Sequence, residues 1–257
     1  MLTFKNTTLF FGLLVITLIA FDIYGDLSWL IYLVVALAYS LMLFYGSANV
    51  ASGFYMKVVS HGGTASKQIA ITFDDGPADR FTNEIVDLLG EQQVPAAFFC
   101  IGKNIAGREQ IITKMVSSGH IIGNHSHSHH FWFDIYGSAK MEADLQQMNE
   151  ELYRVTGLKP LFFRPPYGVT NPNLAKAVAH LDMVAVGWNI RSLDTIVKDP
   201  KKLLHKVLKA VKPGAIILFH DTSETTFLML KAFIEGAREQ GYEFVKLDKL
   251  INSTPYA

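Results

Sequence analysis

Four short apolar runs in this chain each hand over, at their C-terminal ends, to side chains that bind metals or move protons. Residues 68–73 (QIAITF) are followed by Asp74-Asp75-Gly76-Pro77, and residues 121–123 by Asn124-His125-Ser126-His127-Ser128-His129-His130. Residues 161–163 lead into Arg164-Pro165-Pro166-Tyr167-Gly168, and residues 215–219 into His220-Asp221. Taken singly, each string has a bland explanation. Asp-Asp-Gly-Pro makes a good turn, a histidine-rich stretch can be a solvated surface, Arg-Pro-Pro can be a rigid loop, and His220 can be a satisfied core histidine. The shared placement of all four argues for one site.

The residue types fit hydrolysis. Two imidazoles and one carboxylate hold a divalent metal while leaving coordination positions open for water and substrate. His125 and His129 are four apart, so a helical turn or a tight loop can aim both at one point. A second carboxylate that is not a ligand can accept a proton from the attacking water, an arginine beside it can support it, and a histidine opposite can protonate a departing amine.

The surrounding pattern supplies elements able to position such a set. Residues 68–73, 96–101, 121–123, 161–163, 183–188, 215–219 and 244–247 read as short buried strands. Between them lie helical faces: Phe81/Ile85/Leu88/Leu89, Ile111/Ile112/Met115/Val116, Met141/Leu145/Met148/Leu152/Val155 and Leu203/Leu204/Val207/Leu208. These stripes are core packing. Repeated strand–helix units define an α/β fold with a parallel sheet, open or closed into a barrel, and both place ligands beyond the carboxyl ends of the strands.

The ordered set Thr72-Phe73-Asp74-Asp75-Gly76-Pro77, His125-Ser126-x-x-His129, Arg164-Pro165-Pro166-Tyr167-Gly168 and Leu218-Phe219-His220-Asp221 resembles the polysaccharide deacetylase family, carbohydrate esterase family four with its NodB-homology domain. The resemblance covers about residues 66–253 and implies a distorted (β/α) barrel of about seven strands that removes acyl groups from sugars with a divalent metal. The metal implied is Zn2+, with Co2+, Ni2+ or Mn2+ as alternatives. By that resemblance Asp74 is the general base, and Asp75, His125 and His129 are the metal ligands. Arg164 positions and electrostatically tunes the base, the Tyr167 backbone N–H stabilises the oxyanion, and His220 is the general acid. Tyr167, Leu218 and Trp188 are assigned to the substrate groove. His127 and His130 match no role. The fourth family motif departs from its usual form, here Trp188-Asn189-Ile190-Arg191-Ser192-Leu193-Asp194-Thr195. Asp194 can orient His220, but Thr195 stands where a tryptophan is usual and Arg191 where an aspartate is common.

The N-terminal quarter is different in kind. Between residues 1 and 65 the charged side chains are Lys5, Asp22, Asp26 and Lys57; setting these aside, the totals of 23 basic and 23 acidic residues become 21 and 21 in the remainder. Residues 9–23 and 27–45 are apolar runs joined by Tyr24-Gly25-Asp26, with Trp29 and nearby tyrosines suited to membrane interfaces. The longer run spans a bilayer core as a helix; the shorter does so only with Thr7, Thr8 and Tyr24 or with local thinning. We read residues 1–47 as a two-helix transmembrane hairpin, 48–65 as a linker and 66–253 as the catalytic domain. A signal peptide is the alternative, although a small-x-small cleavage site is missing before the second run. Neither run has a polar face to turn to water as a core helix would. Two crossings put both chain ends on one side. The lysines outside the helices lean towards the cytoplasm, whereas the family resemblance leans towards an extracytoplasmic domain on the inner membrane.

Formal neutrality without a basic stripe sets nucleic acid aside as a partner. A single cysteine, Cys100, excludes an internal disulfide framework and a multi-cysteine metal site. The expected activity is removal of N-acetyl groups from a cell-envelope polysaccharide or oligosaccharide. A lipid-linked amino sugar carrying a formyl or acetyl group is the alternative substrate, and a catalytically inactive membrane-anchored glycan-binding module the alternative of another class. Oligomeric state is not legible.

Overall fold

The computed structural model describes residues 2–257. Two apolar helices come first: α1 (Phe4–Asp22), capped by the Thr3 side chain, and α2 (Trp29–Ala48), capped by Ser28. The sequence pattern starts the first helix at residue 9, but Thr3 accepts from the Asn6 N–H and begins it earlier, so α1 reaches 19 residues. The two helices pair through Thr8 Oγ1 and Tyr39 Oη at 2.8 Å, and Asp22 closes the turn by accepting from the Leu27 N–H. Within α1 only Thr7 is buried, and within α2 only Gly46. Both helices are long and apolar enough to cross a membrane.

Strands and helices then alternate: β1 (Gln68–Asp74), α3 (Thr82–Glu91), β2 (Ala96–Cys100), α4 (Glu109–Ser117), β3 (Ile121–Asn124), α5 (Ser138–Thr156), β4 (Phe162–Phe163), α6 (Pro172–His180), β5 (Val184–Ala185), β6 (Ile190–Arg191), α7 (Pro200–Ala210), β7 (Ile216–His220), α8 (Glu224–Glu239), β8 (Glu243–Phe244) and α9 (Leu247–Ile251). The strands pair in parallel in the order β5-β4-β3-β2-β1-β7-β6, and β8 pairs with the start of β1. This is the curled half-barrel expected of seven parallel strands.

Strand alternation divides the core in two. Ile69, Ile71 and Phe73 of β1, with Ile217 and Phe219 of β7, face outward and pack with α3, α4, α7 and α8. Ala70, Ala97, Phe99, Phe162 and Ile216 face into the curl, where Leu247 and Leu250 of α9 join them. Those leucines are why the expected strand over 244–247 stops at Phe244: their three-residue spacing serves a helix face. The expected strand over 183–188 is also interrupted. Val186 and Gly187 turn their carbonyls to the Arg164 guanidinium, and the chain re-enters the sheet only at Ile190 as a two-residue strand the sequence pattern did not resolve.

Residues 58–62 are bound to the sheet edge. Val59 bridges Val186 in parallel, His61 bridges Ala215, and the Gly62 N–H donates to the Gly214 carbonyl at 2.9 Å.

Candidate active site

Register and parity put the first pair together. Asp74 ends β1 on the inward side, in line with Ala70 and Thr72, and its partner across the parallel ladder is His220 at the end of β7. Loops leaving β3 and β4 bring His125 and Arg164 to the same end, where the Arg164 N–H donates to the Asn124 carbonyl.

Asp75, His125 and His129 converge. Asp75 Oδ1 lies 3.5 Å from Nε2 of each histidine, and His125 Nδ1 meets the Arg164 carbonyl at 2.8 Å. Because a carbonyl only accepts, Nδ1 carries a proton, which leaves Nε2 as the nitrogen directed at Asp75 and the one that a metal ion would take in exchange for its proton. The arrangement fits a divalent ion held by one carboxylate and two imidazoles, with part of its coordination shell open. Burial and the neighbouring His125 push His129 down to about 4, so it is neutral and ready to ligate. For His125 burial acts downward, but the charges of Asp74 and Asp75 outweigh it and raise its pKa. Burial likewise acts against the Asp75 charge, yet the three histidines around it bring it down to about 2.

Arg164 is the largest fully buried side chain of the protein. It lies inside the curl over the Phe99 ring, 4.0 Å from the centroid. Its Nη1 donates to Asp74 Oδ1 at 2.7 Å and to Thr72 Oγ1 at 2.8 Å, while Nε and Nη2 donate to the Val186 and Gly187 carbonyls. One oxygen of Asp74 is thereby fixed, and Oδ2 lies 3.9 Å from His125 Nε2. A buried ion pair of this kind is tolerated when the cation is well hydrogen-bonded, and here each of the three guanidinium nitrogens has an acceptor.

His220 is held by Asp194, whose Oδ1 lies 2.7 Å from His220 Nδ1 and whose Oδ2 accepts from the His220 backbone N–H and from Thr226 Oγ1. The His220 Nε2 faces the site, 3.9 Å from Asp75 Oδ2. Burial lowers its basicity, but Asp194, Asp74 and Asp75 together raise it to about 9.

The backbone is strained around these groups. Asp75, Ser126, His129 and Tyr167 all have positive φ, as does Leu193 beside Asp194. Such conformations cost non-glycine residues energy and concentrate at working sites. Tyr167 is half exposed, and its ring packs edge-on against His129 at 4.7 Å.

Among the groove residues expected from the sequence, Leu218 is buried on the inward face of β7. Trp188 sits behind Gly168, close enough to bar a side chain there, with the Arg164 guanidinium 5.6 Å from its ring. Arg191 is exposed at the end of β6, 5.9 Å from the same ring, and Thr195 is exposed. His127 and His130 stay apart from the ligands: His127 packs against Gly102, and His130 stacks on Tyr136. Three contributors received no role from the sequence, although Thr72 and Asp221 stand inside its motifs. Thr72 and Thr226 steady Arg164 and Asp194. Asp221 is buried under Gly76 and accepts from Thr82; burial raises its pKa to about 7.

A curled α/β half-barrel that gathers an aspartate–arginine pair, an Asp/His/His cluster and a carboxylate-held histidine at its strand ends has the architecture of a hydrolase. The polysaccharide deacetylase family profile matches residues 61–186. The chain is 33% identical over 194 residues to the peptidoglycan-N-acetylmuramic acid deacetylase PdaA of Bacillus subtilis, covering 74% of this chain and 73% of that protein. It is 33% identical over 168 residues to the chitooligosaccharide deacetylase of Sinorhizobium fredii, covering 65% and 78%. Among solved structures, the Bc1960 peptidoglycan N-acetylglucosamine deacetylase superposes with a TM-score of 0.74 at 27% identity, over 78% of this chain and 95% of that one. The chain belongs to the polysaccharide deacetylase family, carbohydrate esterase family four.

Proposed function

We propose that this protein is a membrane-anchored, metal-dependent hydrolase that removes N-acetyl groups from amino sugars of a cell-envelope glycan. Names of relatives support the substrate class: they include deacetylases of peptidoglycan and of chitooligosaccharide. The observation that carries the reading is the convergence of Asp75, His125 and His129 beside the Arg164-held Asp74 and the Asp194-held His220. A divalent ion bound by the three ligands supplies Lewis acidity for the acyl carbonyl and for the attacking water.

In this reading Asp74 Oδ2 accepts a proton as water adds to the acyl carbon. The Tyr167 N–H, on its strained turn, donates to the developing oxyanion. The C–N bond then breaks, with His220 Nε2 delivering a proton to the nitrogen, and the products are acetate and a free amine. Arg164 and Asp194 keep the base and the acid in position. The helices α1 and α2 serve as the anchor: they are 19 and 20 residues long, and within them only Thr7 and Gly46 are buried.

The test is acetate release from N-acetylated glycans by the full chain, loaded with zinc, against Asp74→Asn and His125→Ala. Both variants are expected to lose at least about a hundredfold in kcat. Full metal-responsive activity in either would overturn the assignment.

A further inference from the structure

The hairpin is fastened to the protein at the mouth of the site. Thr170, three residues beyond Tyr167, donates from its backbone N–H to the Ser47 carbonyl and from Oγ1 to the Gly46 carbonyl, both at 3.2 Å. These carbonyls belong to the last turn of α2. Val50, two residues past the helix, covers Gly187 together with Val58 and Ser60, and the Gly187 carbonyl accepts from Arg164 Nη2 at 2.9 Å. The chain leaving α2 is thus one layer from the residue that grips Asp74.

The same fastening extends to an exposed apolar loop. Next to Thr170, Asn171 Nδ2 donates to the Asp134 carbonyl at 2.8 Å, and Asn173 Nδ2 to that of Tyr136 at 3.1 Å. The loop they hold begins just after the ligand His129 and carries Phe131, Trp132 and Ile135, which are 71%, 55% and 73% exposed. Single exposed apolar residues are ordinary, but three in five positions beside the end of an apolar helix form a patch. An aromatic pair next to a helix end is also the composition that settles at the membrane–water interface.

We infer that Phe131, Trp132 and Ile135 rest in the bilayer interface, and that the site acts on an N-acylated amino sugar still attached to a membrane-embedded lipid carrier, an inference that rests on the deacetylase reading above. A rim lying in the interface admits a sugar carried laterally by its lipid, whereas a polymer in bulk water must enter between the domain and the headgroups. Holding the carrier in two dimensions also raises the local concentration of substrate at the site.

The experiment uses the full zinc-loaded chain in lipid nanodiscs. Cys100 is fully buried, so Phe131→Cys can be labelled selectively with an environment-sensitive fluorophore, with Glu91→Cys, exposed at the opposite end of the strands, as control. Doxyl-labelled lipids are expected to quench the label at 131 and to leave the label at 91 unchanged. In parallel, turnover of a polyprenyl-phosphate-linked N-acetylhexosamine is compared with that of N-acetylglucosamine pentamer. The lipid-linked sugar is expected to have a kcat/KM about tenfold higher or more, and replacing Phe131, Trp132 and Ile135 by serine to narrow that ratio. An unquenched label at 131, or preference for the soluble pentamer, overturns the inference while leaving the deacetylase reading standing. Hydrolysis of neither sugar sinks both.

Discussion

The carboxylate of Asp194 grips His220 at two points, with Oδ1 2.7 Å from the ring Nδ1 and Oδ2 2.7 Å from the backbone N–H. An ionised carboxylate only accepts, so Nδ1 carries a proton and the ring is directed through Nε2 into the site. The acid form persists to about pH 9 because Asp194, Asp74 and Asp75 outweigh the effect of burial. In the proposed role of general acid His220 must be protonated, so activity should be lost as pH rises through its pKa.

Asp194→Asn removes one of the charges that raise that pKa. The alkaline limb of the kcat/KM profile should move to lower pH by about one unit or more, with kcat reduced by about a hundredfold. A pH–rate series on the metal-loaded variant checks this. An unmoved alkaline limb would separate His220 from the proton transfer.

Arg164 makes the complementary prediction on the base side. Its guanidinium donates to Asp74, Thr72 and two carbonyls, with no exposed surface. Arg164→Met leaves the Asp74 carboxylate buried without its cation, a change that costs about 3–5 kcal/mol. Arg164→Lys keeps the charge but cannot reproduce the planar fork, so it should recover part of the stability and little of the activity. Urea midpoints and kcat measured on the same preparations test both parts. A stable, active Arg164→Met would show that Asp74 needs no partner.

The groups of the candidate site are legible in the sequence because each follows an apolar run whose strand character fixes where its end lies. Asp74, His125, Arg164 and His220 could therefore be gathered without coordinates. Their supports could not. Thr72 reaches Arg164 across 92 residues and Thr226 reaches Asp194 across 32, and neither threonine differs by type from any other in the chain. The break at Val186 and Gly187 was hidden for the same reason: MVAVGW reads as one strand until a distant guanidinium claims two of its carbonyls. Residues 58–62 lack strong periodicity, and only the free edge of the curled sheet gives them a partner.

Metal binding should be proton-linked. The pKa of His125 is raised by Asp74 and Asp75 against the effect of burial, whereas His129 is depressed to about 4 and already neutral. An incoming divalent ion must displace the His125 proton, so affinity falls as pH drops through the His125 pKa. Calorimetric titration of the metal-free protein with zinc, in buffers of different ionisation enthalpy, should show proton release that shrinks at higher pH. Chelation should lower the melting temperature, since a ligand bound only by the folded state stabilises it. His129→Ala should abolish stoichiometric binding; retained tight binding would remove His129 from the ligand set.

The fastening of residues 58–62 sets where the chain can be cut. A fragment beginning at residue 64 loses Val50, which is 6% exposed, with Val58 and Ser60 over Gly187, and the bonds from Val59 N–H to Ala185 and from Gly62 N–H to Gly214. Losing this apolar cover and the two backbone bonds should cost about 3 kcal/mol relative to a fragment beginning at residue 49. The loss also reaches the site, because the uncovered segment is the one whose carbonyls hold Arg164 against Asp74. The shorter fragment should therefore unfold at lower urea and show reduced kcat, while the longer one keeps both close to those of the full chain on a soluble substrate. Equal urea midpoints for the two fragments would show that residues 58–62 lie on the sheet edge without supporting it.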